Sequence, residues 1–323
     1  MSTRPELRRR QLMETLHDEY GGLGITDLRH IGEGMDAKVY RAHSPELGPV
    51  AIKMPHDRWI SSGNEPRLDT RVILRKEFQL SRHVRAHGLR TPEVFFMHAD
   101  DAGVDFIVSQ FVESDDSELL DFEFGRLIRA IHDLPAPSIE LSASERSADV
   151  DEILTERIER RLKTLASIVS LTIPVPDIGS ALSAWRADDV PGCLLHMDLR
   201  PENILVRSGH PVAILDWSNA LVSEVTLDLS RAAEYGSLTA AALAAYGNSE
   251  AFSMTPRTPR EIIYRLDTAV MLAHVFLRGA PDEVKARHYI QRTSSLCRTL
   301  QAACQHAGVP CRSAERPIGG APG

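Results

Sequence analysis

The stretch Leu194 to Ala220, LLHMDLRPENILVRSGHPVAILDWSNA, decides how this chain is read. It sets His196, Asp198, Arg200 and Asn203 between two apolar runs and closes the second run, VAILD, with Asp216. A plain turn would account for LRPEN, because proline and asparagine both favour turn geometry. It would not account for the second carboxylate. Asn203 follows Asp198 by five residues and Asp216 follows Asn203 by thirteen, a gap that NILVRSGHPVAILD fills as a hairpin turning at RSGHP. Such a hairpin returns Asn203 and Asp216 to the same end, close enough to share a metal cluster.

Upstream, residues 5–19 read as a short charged helix, and ITDLRHIGEGMDAKVYRAHSPELGPVAIKMP reads as three strands punctuated by GEG and PELG. A loop, HDRWISSGNEPRLD, leads to a helix over about 70–87. EVFFMHADDAGVDFIVSQFVES then forms a second hairpin around ADDAG. After residue 113 the pattern turns helical, in ELLDFEFGRLIRAIHDL, in VDEILTERIERRLKTLASIV, and around 228–246 and 259–307. Only the stretch around 203–216 returns to strand character. The expected fold is therefore α+β and bilobal, with a small β-rich lobe over 1–112, a larger, mainly helical lobe over 113–312, a hinge near 110–116 and a disordered tail over 313–323.

Composition narrows the function classes. Of 323 residues, 43% are hydrophobic and 25% charged, enough for a substantial core. No run reaches the 18 or so apolar residues of a membrane helix, and the N-terminus lacks a secretion-signal core, so a cytoplasmic chain with no membrane partner is expected. A net charge of −8 gives no support for nucleic-acid binding. Cys193, Cys297, Cys304 and Cys311 lack the short pair spacing of zinc sites. The seven-residue recurrence of the last three fits helix packing. Nothing marks an oligomeric interface.

Transfer of a terminal phosphoryl group needs magnesium on the phosphate oxygens, a cation on the other phosphates and a carboxylate to orient the attacking hydroxyl. Asp and Asn oxygens suit magnesium. On the residues HMDLRPEN and ILDWSNA the chain resembles the protein kinase-like superfamily, and more closely its aminoglycoside phosphotransferase and choline kinase-like branch. The resemblance implies Asp198 as catalytic base, Asn203 and Asp216 as magnesium ligands, and His196 as the residue that organises the catalytic loop.

The first lobe tests that resemblance independently. IGEGMDAKVY looks like a nucleotide loop, whose Gly32 and Gly34 let backbone amides approach phosphates. VAIKMP follows and matches the strand-borne lysine of kinases at Lys53. Its acidic partner is expected at Glu77, which has Ile73, Leu74 and Leu80 as helical neighbours and so stands beside the apolar stripe. The resemblance further places the backbone of Gln110 to Val112 against an adenine edge, with Ile52 above the ring. FGRLIRAIHDLP resembles a helix of the same family, in which His132 reads as structural.

Departures matter as much. Met197, Arg200 and Glu202 bring DLRPEN close to the protein-kinase loop, and Arg200 then stands where a cation meets the γ-phosphate. Against a protein kinase, the metal segment is D-W-S and no A-P-E follows. LVSEVTLDLSRAAEYG instead matches the phosphotransferase branch, with Asp228 bracing the catalytic loop. The expectation is an enzyme using ATP, or GTP, with Mg2+ to phosphorylate an alcohol group of a small molecule, an antibiotic or a metabolite. The acidic run ESDDSELLDFE reads first as a solvated face, with lining of an acceptor mouth that favours a cation as the alternative. The alternatives are a protein serine/threonine kinase, and a ligand-sequestering protein of the same fold without turnover.

Overall fold

A computed structural model of the chain describes residues 4–64, 67–101, 103–115, 117–137, 149–169, 175–186, 192–247 and 252–309. The tail at 313–323 and Cys311 lie outside the described residues. Helix α1 (Arg4–Tyr20) opens the chain and is followed by β1 (Thr26–Glu33), β2 (Ala37–Ser44) and β3 (Gly48–Pro55). A short pair, β4 (Trp59–Ile60) and β5 (Leu68–Asp69), lies in the stretch expected to be loop. Then come α2 (Thr70–Ala86), β6 (Val94–His98) and β7 (Phe106–Gln110). The strands form one antiparallel sheet in the order β1-β2-β3-β7-β6.

Each face of that sheet has a different task, set by the two-residue alternation of strand side chains. Tyr40, Ala42, Val50, Ile52, Met54, Phe106 and Val108 point to one face and pack with Leu12 and Leu16 of α1. Ala51 and Lys53 point to the other, into the cleft between the lobes. Helix α2 begins where the Asp69 carboxylate accepts the Arg71 amide at 3.0 Å, and it carries Glu77 into the same cleft.

The second lobe holds α3 (Asp121–His132), α4 (Val150–Ile168), α5 (Ile178–Ala184), β8 (Cys193–Leu195), the hairpin β9 (Ile204–Arg207) and β10 (His210–Ile214), β11 (Leu221–Ser223), α6 (Val225–Glu234), α7 (Ala240–Tyr246), α8 (Pro259–His274) and α9 (Glu283–His306). The hairpin turns on Ser208 and Gly209, both at positive φ. Strands β8 and β11 pair with each other and were not expected, being three residues each. The two helical stretches expected at 228–246 and 259–307 are each broken. Gly236, at φ +81°, and the Thr239 cap separate α6 from α7. A π-helical turn over Val275–Gly279 and the Asp282 cap separate α8 from α9.

Two apolar clusters flank the β8–β11 layer. One joins α4, α5, α8 and α9, with Cys297 and Cys304 inside it, which agrees with a packing role. The other joins α2, α3, α7 and Trp217. The lobes are tied beside the site by the Ile214 amide donating to Arg90 O at 2.9 Å and Thr91 Oγ1 donating to Ile214 O at 3.0 Å.

The glycine of FGRLIRAIH has a packing reason. A Cβ on Gly125 would lie 1.9 Å from the backbone oxygen of Ala242, because α3 and α7 cross there. In an isolated helix alanine would be better than glycine by about 1 kcal/mol. Overpacking against backbone costs about 1–3 kcal/mol or more. Gly125→Ala should therefore lower the urea midpoint at unchanged m-value, and a raised midpoint would show that α3 and α7 do not touch here.

Candidate functional site

The lobes meet over a cleft of about 1700 Å³, lined by Lys53, Glu77, Asp198, Arg200, Asn203 and Asp216 among others. A pocket for one small ligand holds about 300–1,000 Å³. This cleft has room for two.

On its upper side Lys53 Nζ sits 2.7 Å from Glu77 Oε2 and 3.3 Å from Asp216 Oδ2. Burial alone would push the lysine pKa down, but Asp216 and Glu77 outweigh it and hold it above its ordinary value, so the ammonium stays charged. Asp216 shows the reciprocal effect. Burial would raise it, yet Lys53 and the hydrogen bonds from Ser218 bring it down to about 2. Ser218 Oγ donates to Asp216 Oδ1 at 2.6 Å and its amide donates at 3.3 Å, which fixes the carboxylate on a residue at φ +61°. Ser218 thus has a local task at the third position of D-W-S.

The loop from His196 to Asn203 is held from below. Asp198 Oδ2 accepts Asn203 Nδ2 at 2.9 Å, and Asn203 Nδ2 also reaches Asp198 O at 2.8 Å. Met197 stands at φ +62°, a costly conformation for a residue with a Cβ. Asp228 stabilises it by accepting the amides of His196 and Met197, each at 3.0 Å. His132 Nε2 completes that buried carboxylate at 3.3 Å, and its Nδ1 meets Tyr246 Oη at 3.0 Å. Burial pushes the His196 pKa down. As a neutral ring it donates from Nε2 to Leu215 O at 3.0 Å and accepts the Asp198 amide on Nδ1 at 3.2 Å. Both nitrogens are occupied.

Two residues of the site escaped the sequence reading. Tyr235 Oη donates to Asp198 Oδ1 at 2.7 Å, and Arg231 Nε donates to Tyr235 Oη at 3.2 Å. Burial, reinforced by Asp198, holds the Tyr235 phenol well above its ordinary pKa, so it remains a donor. A signal was available: Asp228, Arg231 and Tyr235 are spaced by three and four residues, one face of α6 and its end.

Other expectations change place. Ile52 does not cover the cleft; it is 0% exposed on the opposite face of β3, and Ala51 lines the cleft instead. Gly34 lines the cleft, whereas Gly32 lies within β1 opposite Val39 and outside the lining. Gln110 and Val112 both line it. The Gln110 amide is used by Glu93 O at 2.7 Å and the Phe111 amide by Pro49 O at 3.0 Å, while the Val112 amide donates to no group among the described residues. Arg200 Nε is buried without a hydrogen-bond partner, 3.4 Å from Asp198 Oδ1. The acidic run is mostly a solvated face: Glu113, Asp115, Glu118 and Asp121 are exposed, and of its carboxylates among the described residues only Asp121 borders the cleft. Glu113 pairs with Arg41, Asp115 accepts from Ser117 and Ser208, and Glu123 meets His210.

A magnesium ion fits the donor set. Asp216 supplies a carboxylate that stays ionised, and Asn203, whose Nδ2 is committed to Asp198, keeps Oδ1 clear of any donor among the described residues. Two hard oxygens with phosphate and water completing the shell is the usual magnesium arrangement. Among the described residues no cluster of three or more His, Cys, Asp or Glu could hold a metal without such help, and no helix is long and apolar enough to cross a membrane.

The model of the phosphotransferase enzyme family matches residues 27–261. Among solved structures, a thermostable mutant of aminoglycoside phosphotransferase APH(4)-Ia, in ternary complex with AMP-PNP and hygromycin B, is similar at TM-score 0.62 and 14% identity. The match covers 90% of this chain and 98% of that one. A putative fructosamine-3-kinase from Haemophilus somnus 129PT is similar at TM-score 0.61 and 13% identity, covering 91% and 97%. The streptomycin–ATP–APH(2")-IIa ternary complex gives 0.56 and 15%, covering 89% and 97%. No curated protein matches the chain by sequence.

Proposed function

This chain belongs to the phosphotransferase enzyme family, and from that premise we propose that it is a small-molecule kinase, moving the γ-phosphoryl group of ATP to an alcohol. The observation that carries the reading is convergence: Lys53, Glu77 and Asp216 meet Asp198 and Asn203 in one cleft although up to 163 residues separate them. In this reading the nucleotide lobe runs to residue 112 and the acceptor lobe follows. The Val112 amide and the Gln110 carbonyl serve the adenine edge. Lys53, aimed by Glu77 and Asp216, takes the α/β-phosphates.

Asp198 is the base. Each of its oxygens holds one donor, Tyr235 or Asn203, and keeps a second lone pair for the acceptor hydroxyl. As the acceptor oxygen bonds to the γ-phosphorus, the hydroxyl proton passes to Asp198 and the bond to the β-phosphate oxygen breaks, leaving ADP. Arg200, whose Nε stands 3.4 Å from Asp198 Oδ1, faces the charge on the transferred group. Magnesium, held by Asn203 and Asp216, would neutralise phosphate charge. His196 shapes the loop and shuttles no proton, since both ring nitrogens are engaged.

The length of the segment after Asp216 favours a small acceptor over a protein. Residues 217–224 alone separate Asp216 from α6, and three of them pair as β11 with β8. No loop remains there to hold a peptide. ATP consumption measured against neutral, cationic and anionic alcohols, with a generic protein substrate beside them, tests the reading. Stimulation by a small alcohol and none by the protein is expected; stimulation by the protein alone would reassign the enzyme.

A further inference from the structure

Beyond Asp198 the cleft turns basic. Helix α4 presents Arg157, Arg160 and Arg161, at i, i+3 and i+4, to its lining, and Arg231 and Arg278 border the same space. Buried Asp267 organises part of this wall without lining it. Arg157 grips it twice, at 2.8 and 2.6 Å, Arg161 Nη1 reaches it at 2.9 Å and Arg231 Nη1 stands at 3.5 Å. Burial would raise the Asp267 pKa, but the three guanidinium groups outweigh it and hold it below its ordinary value. Two further arginines have no acidic partner among the described residues: Arg160 gives Nη2 to the neutral carbonyl of Asn64 at 2.8 Å, and Arg278 is exposed on the π-helical turn. The carboxylates on this wall, Glu152 and Glu156, are exposed at its rim.

The basic wall starts one side chain from the proposed base, because Tyr235 bridges Asp198 and Arg231. An acceptor with its hydroxyl on Asp198 therefore extends toward guanidinium groups. A polycation placed there would meet like charge in a partly desolvated site, where the repulsion is strong. An oxyanion would find the planar, multi-donor geometry that arginine offers carboxylate and phosphate.

We propose that the acceptor is a hydroxyl-bearing anion, a carboxylate or a phosphate ester, held by Arg157, Arg160 and Arg278 while its hydroxyl lies on Asp198. This rests on the phosphotransferase reading and deepens it. Four probes of similar size separate the possibilities: gluconate, glucose 6-phosphate, glucose and glucosamine. Each is titrated calorimetrically at fixed ionic strength, with and without Mg-AMP-PNP. Gluconate or glucose 6-phosphate should bind at least about tenfold tighter than glucose, the worth of one charge-assisted contact, with glucosamine weakest. Which of the two binds names the anionic group. The Arg160→Gln/Arg278→Gln double variant, whose side chains brace little else, should erase the preference. Lys53→Ala should keep it, which separates this wall from the phosphate side of the nucleotide site. Anions binding no better than glucose, glucosamine binding best, or a preference unchanged in the arginine variant would overturn the proposal. Failure of AMP-PNP itself to bind would instead count against the kinase reading.

Discussion

Replacing Asp198 with asparagine should leave AMP-PNP affinity unchanged while phosphoryl transfer falls by about 10³-fold, within the range of a lost general base. That factor corresponds to about 4 kcal/mol of transition-state free energy. The substitution is nearly isosteric. Its amide oxygen can still accept from Tyr235 or Asn203, and the surrounding loop keeps the hold of Asp228 on the His196 and Met197 amides and of Asn203 Nδ2 on the Asp198 backbone oxygen. What disappears is the basic lone pair facing the acceptor. Turnover and nucleotide binding should therefore separate in this variant, and near-normal turnover would mean that the proton goes elsewhere.

Asp216→Ala should raise the Kd for Mg-ATP by about 10²-fold, since loss of a metal-site contact typically costs ten- to a hundredfold. Without metal the expected sign differs. Lys53 would be released from one of its two carboxylates, and a negative charge near the phosphates would be gone, so ATP binding in EDTA should hold or tighten slightly. The signature is a collapse of the ratio between the two conditions, read by titration with and without magnesium. A ratio unchanged from the parent protein would remove Asp216 from the ligand set. Acid should reveal the same carboxylate. Its pKa is lowered from 3.8 to about 2, so its contribution to stability is complete above pH 3.8 and fades as pH falls through about 2. Stability of the alanine variant should lose that part of its acid dependence.

Much of the site was legible because its parts are local. The interval from Asp198 to Asn203 is one loop, and the interval to Asp216 is one hairpin whose two-residue turn sets its register. Lys53 and Glu77 were readable from a strand pattern and a helix stripe. Ile52 was not, because β3 carries apolar residues on both faces, with Val50, Ile52 and Met54 on one and Ala51 on the other. Alternation says which residues share a face; only the seating of α1 says which face is closed. Strands β8 and β11 escaped because three residues carry no period. The acidic run was readable as a solvated face, but not the partners Arg41, Ser208 and His210 that its side chains find, because those are set in space and not along the chain.

From sequence alone came the bilobal α+β fold, the family resemblance and the list of candidate groups, since these depend on periodicities and spacings of a few residues. Packing between distant helices decided the basic wall. Arg157, Arg231 and Asp267 lie in three different helices and meet only when α4, α6 and α8 are assembled. The sign of the charge facing Asp198 is a property of that assembly, because an electrostatic field depends on distances in space and not along the chain.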